Sequence, residues 1–222
     1  MDLKDILCFP TDNAMSLSIL KEDHLYKKIP KDKVGYYIKS SINVGNKASM
    51  EFLQEYEDKP LKEICDNMKL EVFIDKEESD FEILKLRGKY EEYKKRLTLS
   101  HRSLKTMEAK FKTLGLDSLD YNYLYEILLA KGLFKHLEAT KIGFTYGKVD
   151  RASTFKLGFI KKTFPVKKTS EIAGEIFTKN ILKLSFNPKV LDYIFLIGNS
   201  HVNESYLIDF FQGLEKEFKA NN

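Results

Sequence analysis

Apolar positions along this chain fall into blocks of two periods. Spacings of three and four at Val34, Ile38 and Ile42, then at Met50, Leu53 and Tyr56, predict helix from Lys33 to Asp58, interrupted around Gly45-Asn46. Upstream, Met1 to Pro30 has weak periodicity and predicts only irregular structure or short elements. Pro60 suits the first turn of a short helix over Leu61 to Met68. Leu70 to Ile74 is a β-type run closed by the charged loop Asp75 to Asp80. Phe81, Ile83 and Leu86 begin a second extended segment, and Arg96-Leu97-Thr98-Leu99-Ser100 is a third.

The helical period returns at Ser103 to Leu114, where Leu104, Met107, Phe111 and Leu114 share a face and Gly115 is the stop. A more apolar helix follows, capped by Asp117 or Ser118 and carrying Tyr121, Leu124, Tyr125, Leu128, Leu129 and Phe134. Lys141 to Val166, rich in Gly, Thr, Phe and Lys, predicts a hairpin or a mobile loop. Thr169-Ser170 then caps a helix through Ile172, Ile176, Phe177 and Ile181. Asn187-Pro188 opens another, which Gly198-Asn199 ends, and Glu204 to Lys219 is a terminal amphipathic helix. The fold class expected is α+β in a single domain: an irregular and helical part over 1–58, a core over 59–197, and a C-terminal helix over 198–222.

Composition narrows the function classes. With 222 residues and 43% apolar content, the chain can bury one sizeable core. Its 37 basic and 33 acidic side chains leave a net charge of +4, too small to mark a nucleic-acid-binding protein by itself. Two cysteines far apart, Cys8 and Cys65, exclude a disulfide framework and point to a reducing cytoplasm. No signal peptide is recognisable, and no apolar run approaches the ~20 residues of a membrane span.

The chemistry of greatest interest lies in Ile127-Leu128-Leu129-Ala130-Lys131-Gly132-Leu133-Phe134-Lys135-His136-Leu137-Glu138. An apolar run ending in Ala commonly leads into H-E-x-x-H, two histidines one turn apart with a glutamate general base. Further on stands Glu171-Ile172-Ala173-Gly174-Glu175-Ile176-Phe177, followed by Ile181-Leu182. Together the two segments resemble the compact zincin metallopeptidases of the ImmA/IrrE type, whose second helix supplies a Glu ligand in a pattern like E-x-x-A-x-x-F. Gly174 departs from that pattern. The resemblance spans about Lys33 to Ile197 and implies a zincin-like frame with a small sheet and a central active-site-type helix.

The resemblance also implies which positions are vestigial. Lys131 and Lys135 stand where the family has its zinc-binding histidines, Gly132 where it has the base, and Glu171 matches the third ligand. A protonated lysine has no lone pair to give a metal, and glycine offers no base. No catalytic residue, metal or other cofactor is therefore expected at this helix. A Lys-Glu-Lys ion cluster of Lys131, Glu171 and Lys135 is expected in the old metal position, if the family frame holds. The implied function is that of a pseudopeptidase that binds a protein or peptide in the former substrate cleft. His136, one position beyond Lys135, points about 100° away on a helix and is expected to be structural. His24, His101 and His201 have no metal-type spacing.

Two other uses come from different classes. Lys156, Lys161, Lys162, Lys167 and Lys168 are interleaved with Phe155, Phe159 and Phe164, a combination that can bind single-stranded nucleic acid. Lysines also blunt an exposed strand edge, and that use is preferred. Strand addition of a peptide there is a further use. The other class is an enzyme of unrelated chemistry with Lys131 or Lys135 as a buried, low-pKa amine.

Overall fold

The computed structural model describes residues 3–56, 59–76, 88–157, 160–197 and 202–221. The described residues mix helix with two small sheets, an α+β fold. Contacts gather the chain into two compact units: 1–49 with 143–222, and 50–142. These boundaries cut across the 59–197 core expected from the pattern. Among the described residues no helix is long and apolar enough to cross a membrane.

The first unit is built on helices α1 (Leu3–Cys8) and α2 (Asp12–Lys21). Every residue from Ala14 to Leu20 is buried, so α2 has no polar face. This explains why Met1 to Pro30 showed little periodicity: a helix enclosed on all sides loses the amphipathic signature. α2 packs on α7 (Lys168–Ile181) and on α9 (Glu204–Ala220), and α1 packs on α8 (Val190–Ile194) and α9. Polar ties reinforce these contacts. Glu217 accepts from Lys21 at 2.6 Å and from the Tyr26 hydroxyl at 3.1 Å, and Asp12 receives Lys179 at 2.7 Å and Asn187 at 2.9 Å.

Helix α3 (Lys31–Glu55) runs unbroken through Gly45-Asn46, correcting the expected interruption. A Cβ on Gly45 would lie 2.5 Å from the Ala173 carbonyl oxygen and 2.9 Å from Ile176 Cβ. The glycine lets α3 and α7 approach closely and does not break the helix. The predicted hairpin forms from β4 (Ala152–Leu157) and β5 (Ile160–Phe164), antiparallel, with a register shift between Ser153 and Phe155. The cap of α7 also differs from expectation. Thr169 donates its hydroxyl back to the Val166 carbonyl at 2.6 Å, while the buried Asp23 carboxylate accepts from the Lys168 amide at 3.0 Å.

The second unit holds a three-stranded sheet in the order β1-β3-β2. β3 (Arg96–Ser100) lies between β1 (Glu71–Asp75), parallel to it, and β2 (Gly88–Glu91), antiparallel to it. Burial alternates along β3, with Leu97 and Leu99 inside, as the Arg96–Ser100 pattern requires. The extended segment expected from Phe81, Ile83 and Leu86 lies outside the described residues. α4 (Leu61–Asn67) follows Pro60 as expected, and Cys65 on it is buried. α5 (His101–Thr113) is capped by the Ser100 hydroxyl.

The central helix of this unit is α6 (Tyr121–Leu137), which packs on α4, α5, β2 and β3. Its cap is Asp120, not Asp117 or Ser118. The Asp120 carboxylate accepts from the Tyr123 amide at 2.8 Å, and Glu108 of α5 accepts from the Tyr121 amide at 2.9 Å. Two of the orphan N–H groups at its start are thus satisfied. Beyond Leu137 the chain widens into a π-helical turn over Glu138–Ile142, and Gly143 takes φ +73. Lys141 in that turn pairs with Glu55.

Candidate functional site

Lys131 to Lys135 occupy the last two turns of α6, and these five positions face different surroundings. Lys135 is exposed, Lys131 half-buried, and Gly132, Leu133 and Phe134 are buried. Gly132 is in contact with the central strand. A Cβ there would meet the Leu97 side chain, 2.5 Å from one methyl and 2.9 Å from Cγ. The space in which a general base would begin is filled by a buried leucine of β3. Glycine here is a packing residue, and its helix-propensity cost of ~1 kcal/mol is the cost of bringing helix and sheet together.

His136 is buried, 2% exposed, and fully engaged within the same unit. Nε2 lies 3.2 Å from the Met68 carbonyl oxygen and therefore carries the proton it donates. Nδ1 then accepts from the Tyr90 hydroxyl at 3.0 Å. Both ring nitrogens are used in tying α6 to β2 and to the end of α4. Burial, joined by the nearby Lys95, holds the imidazole below its usual pKa, against the opposing effect of the Met68 bond. Burial also pushes the Tyr90 phenol up, which keeps it a donor. The expected structural role of His136 agrees with this geometry.

A pH dependence follows. A histidine whose folded pKa lies below its unfolded value of ~6.5 contributes stability that is present above pH ~6.5. That contribution is lost as pH falls through the folded pKa. Urea unfolding at pH 7.5 and pH 5.5 is expected to show a larger loss for the native chain than for His136→Gln. Equal losses in the two proteins would contradict it.

Glu171 belongs to the first unit, on α7, whereas Lys131 and Lys135 belong to the second. Its carboxylate receives Lys168 at 2.6 Å and lies 3.8 Å from the Lys189 amine. The same two lysines hold Glu22, at 2.7 and 2.8 Å, and Lys189 also reaches Asp192 at 3.1 Å. Sequence reasoning missed Lys189, whose side chain is only 8% exposed. It directly follows Pro188, and spacing alone gives no sign that the turn Asn187-Pro188-Lys189 folds inward. The signal available was Asn187, whose side chain accepts from the Lys189 amide at 3.1 Å and shapes the turn. Attraction to Asp192, Glu171 and Glu22 outweighs desolvation and holds the Lys189 amine charged, far above its usual range. Glu22 is pulled down by Lys168 and Lys189 against its own desolvation.

The remaining sites sit around the hairpin. Register pairs Lys156 with Lys161, and Phe155 with Lys162. Lys162 is exposed with its amine 5.3 Å from the centroid of the Phe164 ring, and Lys167 is exposed. Lys168 is drawn into the ion pairs with Glu22 and Glu171. His101 shares a 3.0 Å hydrogen bond with the Tyr121 hydroxyl, His24 is largely exposed beside Asp23, and His201 lies outside the described residues. Among the described residues, no group of three or more His, Cys, Asp or Glu is arranged so that it could hold a metal ion.

No family model matches the chain, and neither do curated proteins or solved structures.

Proposed function

We propose that the chain is a zincin-like protein without peptidase activity, a pseudoenzyme whose remaining role is to bind a protein or peptide. Supporting the frame are the order of its elements, α6 packed on a small mixed sheet, and a later helix bearing Glu171 in an E-x-x-G-x-x-F setting. The observation that carries the non-catalytic part is the Leu97 side chain against Gly132. Zinc-dependent peptide hydrolysis needs neutral or anionic ligands and a base beside the metal-bound water. Lys131, Gly132 and Lys135 supply neither, and Leu97 closes the space for a replacement.

The test is hydrolysis of a quenched fluorescent casein by the purified chain, with and without added zinc. No turnover above a protein-free control is expected in either condition. Chelator-sensitive turnover that disappears on changing Lys131 and Lys135 to alanine would overturn the proposal.

A further inference from the structure

The net charge of +4 conceals a strong local asymmetry. Between Lys148 and Lys168 the chain carries seven basic side chains against the single carboxylate of Asp150, a local +6, which leaves the rest of the chain at −2. All of this segment lies in the first unit. Lys168 is turned to Glu22 and Glu171, while Lys148, Arg151, Lys162 and Lys167 are exposed.

Lys162 and Phe164, two apart on β5, share one side of the hairpin, and Arg151 meets Thr163 on the other. The Lys162 amine stands 5.3 Å from the centroid of the Phe164 ring, which is 37% exposed. Arg151 is held at the base of the hairpin, with Nε 3.3 Å from the Thr163 hydroxyl and Nη2 3.2 Å from the Thr163 carbonyl oxygen. The neighbouring Asp150 amide donates to the Tyr36 hydroxyl at 3.2 Å, and the Lys33 amine stands 5.3 Å from the Tyr36 ring centroid. Two cation-over-ring pairs are thus tied together through Asp150, Arg151 and Thr163.

We propose that this basic surface around the free edge of the hairpin binds single-stranded nucleic acid, with phosphates on Arg151, Lys162 and Lys33 and an unpaired base stacked on Phe164. Cationic grooves with exposed rings suit single strands because every base offers a π-face and needs no sequence readout. A duplex keeps those faces stacked inside. The inference stands on the hairpin and the start of α3 and is independent of the reading of α6.

The test is fluorescence anisotropy of a fluorescein-labelled dT20 strand with the full chain, at 50 and 200 mM NaCl. Three phosphate contacts on a single strand give a log–log salt slope of roughly −2, so affinity is expected to fall about 20-fold over that range. Lys162→Gln is expected to reduce the slope by about 0.7. Phe164→Ala is expected to weaken binding at least about fivefold with an unchanged melting curve. Absence of binding at 50 mM salt would overturn the proposal. So would equal affinity for a duplex of the same length, or for phosphatidylserine vesicles, together with no effect of Phe164→Ala. That result would reduce the face to a general polyanion surface.

Discussion

Gly132→Glu is expected to lower the stability of the chain by at least about 4 kcal/mol. Two costs add. The new side chain has to displace Leu97, whose Cγ lies 2.9 Å from the position of the added Cβ, and overpacking of this kind costs about 1–3 kcal/mol. It would also place a carboxylate beside a leucine of the sheet, at a buried helix position where desolvation costs several kcal/mol more. For a protein of this size the melting temperature should fall by about 10 °C or more. Gly132→Ala is the sharper control, because its sign decides between two explanations. A glycine that is merely a mid-helix liability would give about 1 kcal/mol of stabilisation on change to alanine. The contact with Leu97 reverses this to a loss of about 1–2 kcal/mol. Thermal denaturation of the alanine variant separates the two, and a gain in stability would contradict the packing role.

The second large effect is expected at Lys189. Lys189→Met removes the cation that Glu22, Glu171 and Asp192 share, and leaves Glu22 and Glu171 with Lys168. Breaking a buried ion pair usually costs about 3–5 kcal/mol. Here the carboxylates are 36–41% exposed and can rehydrate, so a loss of about 3 kcal/mol is expected, or about 6–12 °C in melting temperature. Glu171→Ala gives the contrast. Its carboxylate is itself 37% exposed, and both lysines keep Glu22, so a loss within about 1 kcal/mol is expected. Urea unfolding of the two variants side by side checks the ranking, and a larger loss for Glu171→Ala would contradict it.

Legibility of the fold in the sequence varied with how much each residue's neighbours decided its role. Arg96 to Ser100 was read residue for residue, because a strand with one buried face writes its alternation directly into Leu97 and Leu99. The terminal helix Glu204–Ala220 was legible for the same reason, with Leu207, Phe211, Leu214 and Phe218 buried on one side. α2 was not, since a helix enclosed by α7 and α9 carries no polar stripe. Gly45 and Gly132 were the most misleading positions. Local propensity reads glycine as a break or a cost, whereas both stand where another element comes too close for a Cβ, Ala173 and Ile176 in one case and Leu97 in the other.

The candidate sites divide in the same way. Lys131, Gly132 and Lys135 were singled out by the resemblance, but what lies against them was not legible in it. The partners of Glu171 proved to be Lys168, one turn away on its own helix, and Lys189, brought in by the turn at Asn187. Net charge summed over the chain averaged away the +6 of the hairpin segment, and only the structure set Tyr36 and Lys33 beside it.

The most direct measurement is zinc uptake by the variant Lys131→His, Gly132→Glu, Lys135→His, which introduces the two histidines and the glutamate of H-E-x-x-H. Zinc is to be measured by metal analysis after dialysis, alongside a melting curve. With Leu97 filling the space at position 132, the expected result is less than about 0.1 zinc per chain and a melting temperature lowered by about 10 °C or more. One zinc retained per chain by a variant that melts like the native protein would contradict it.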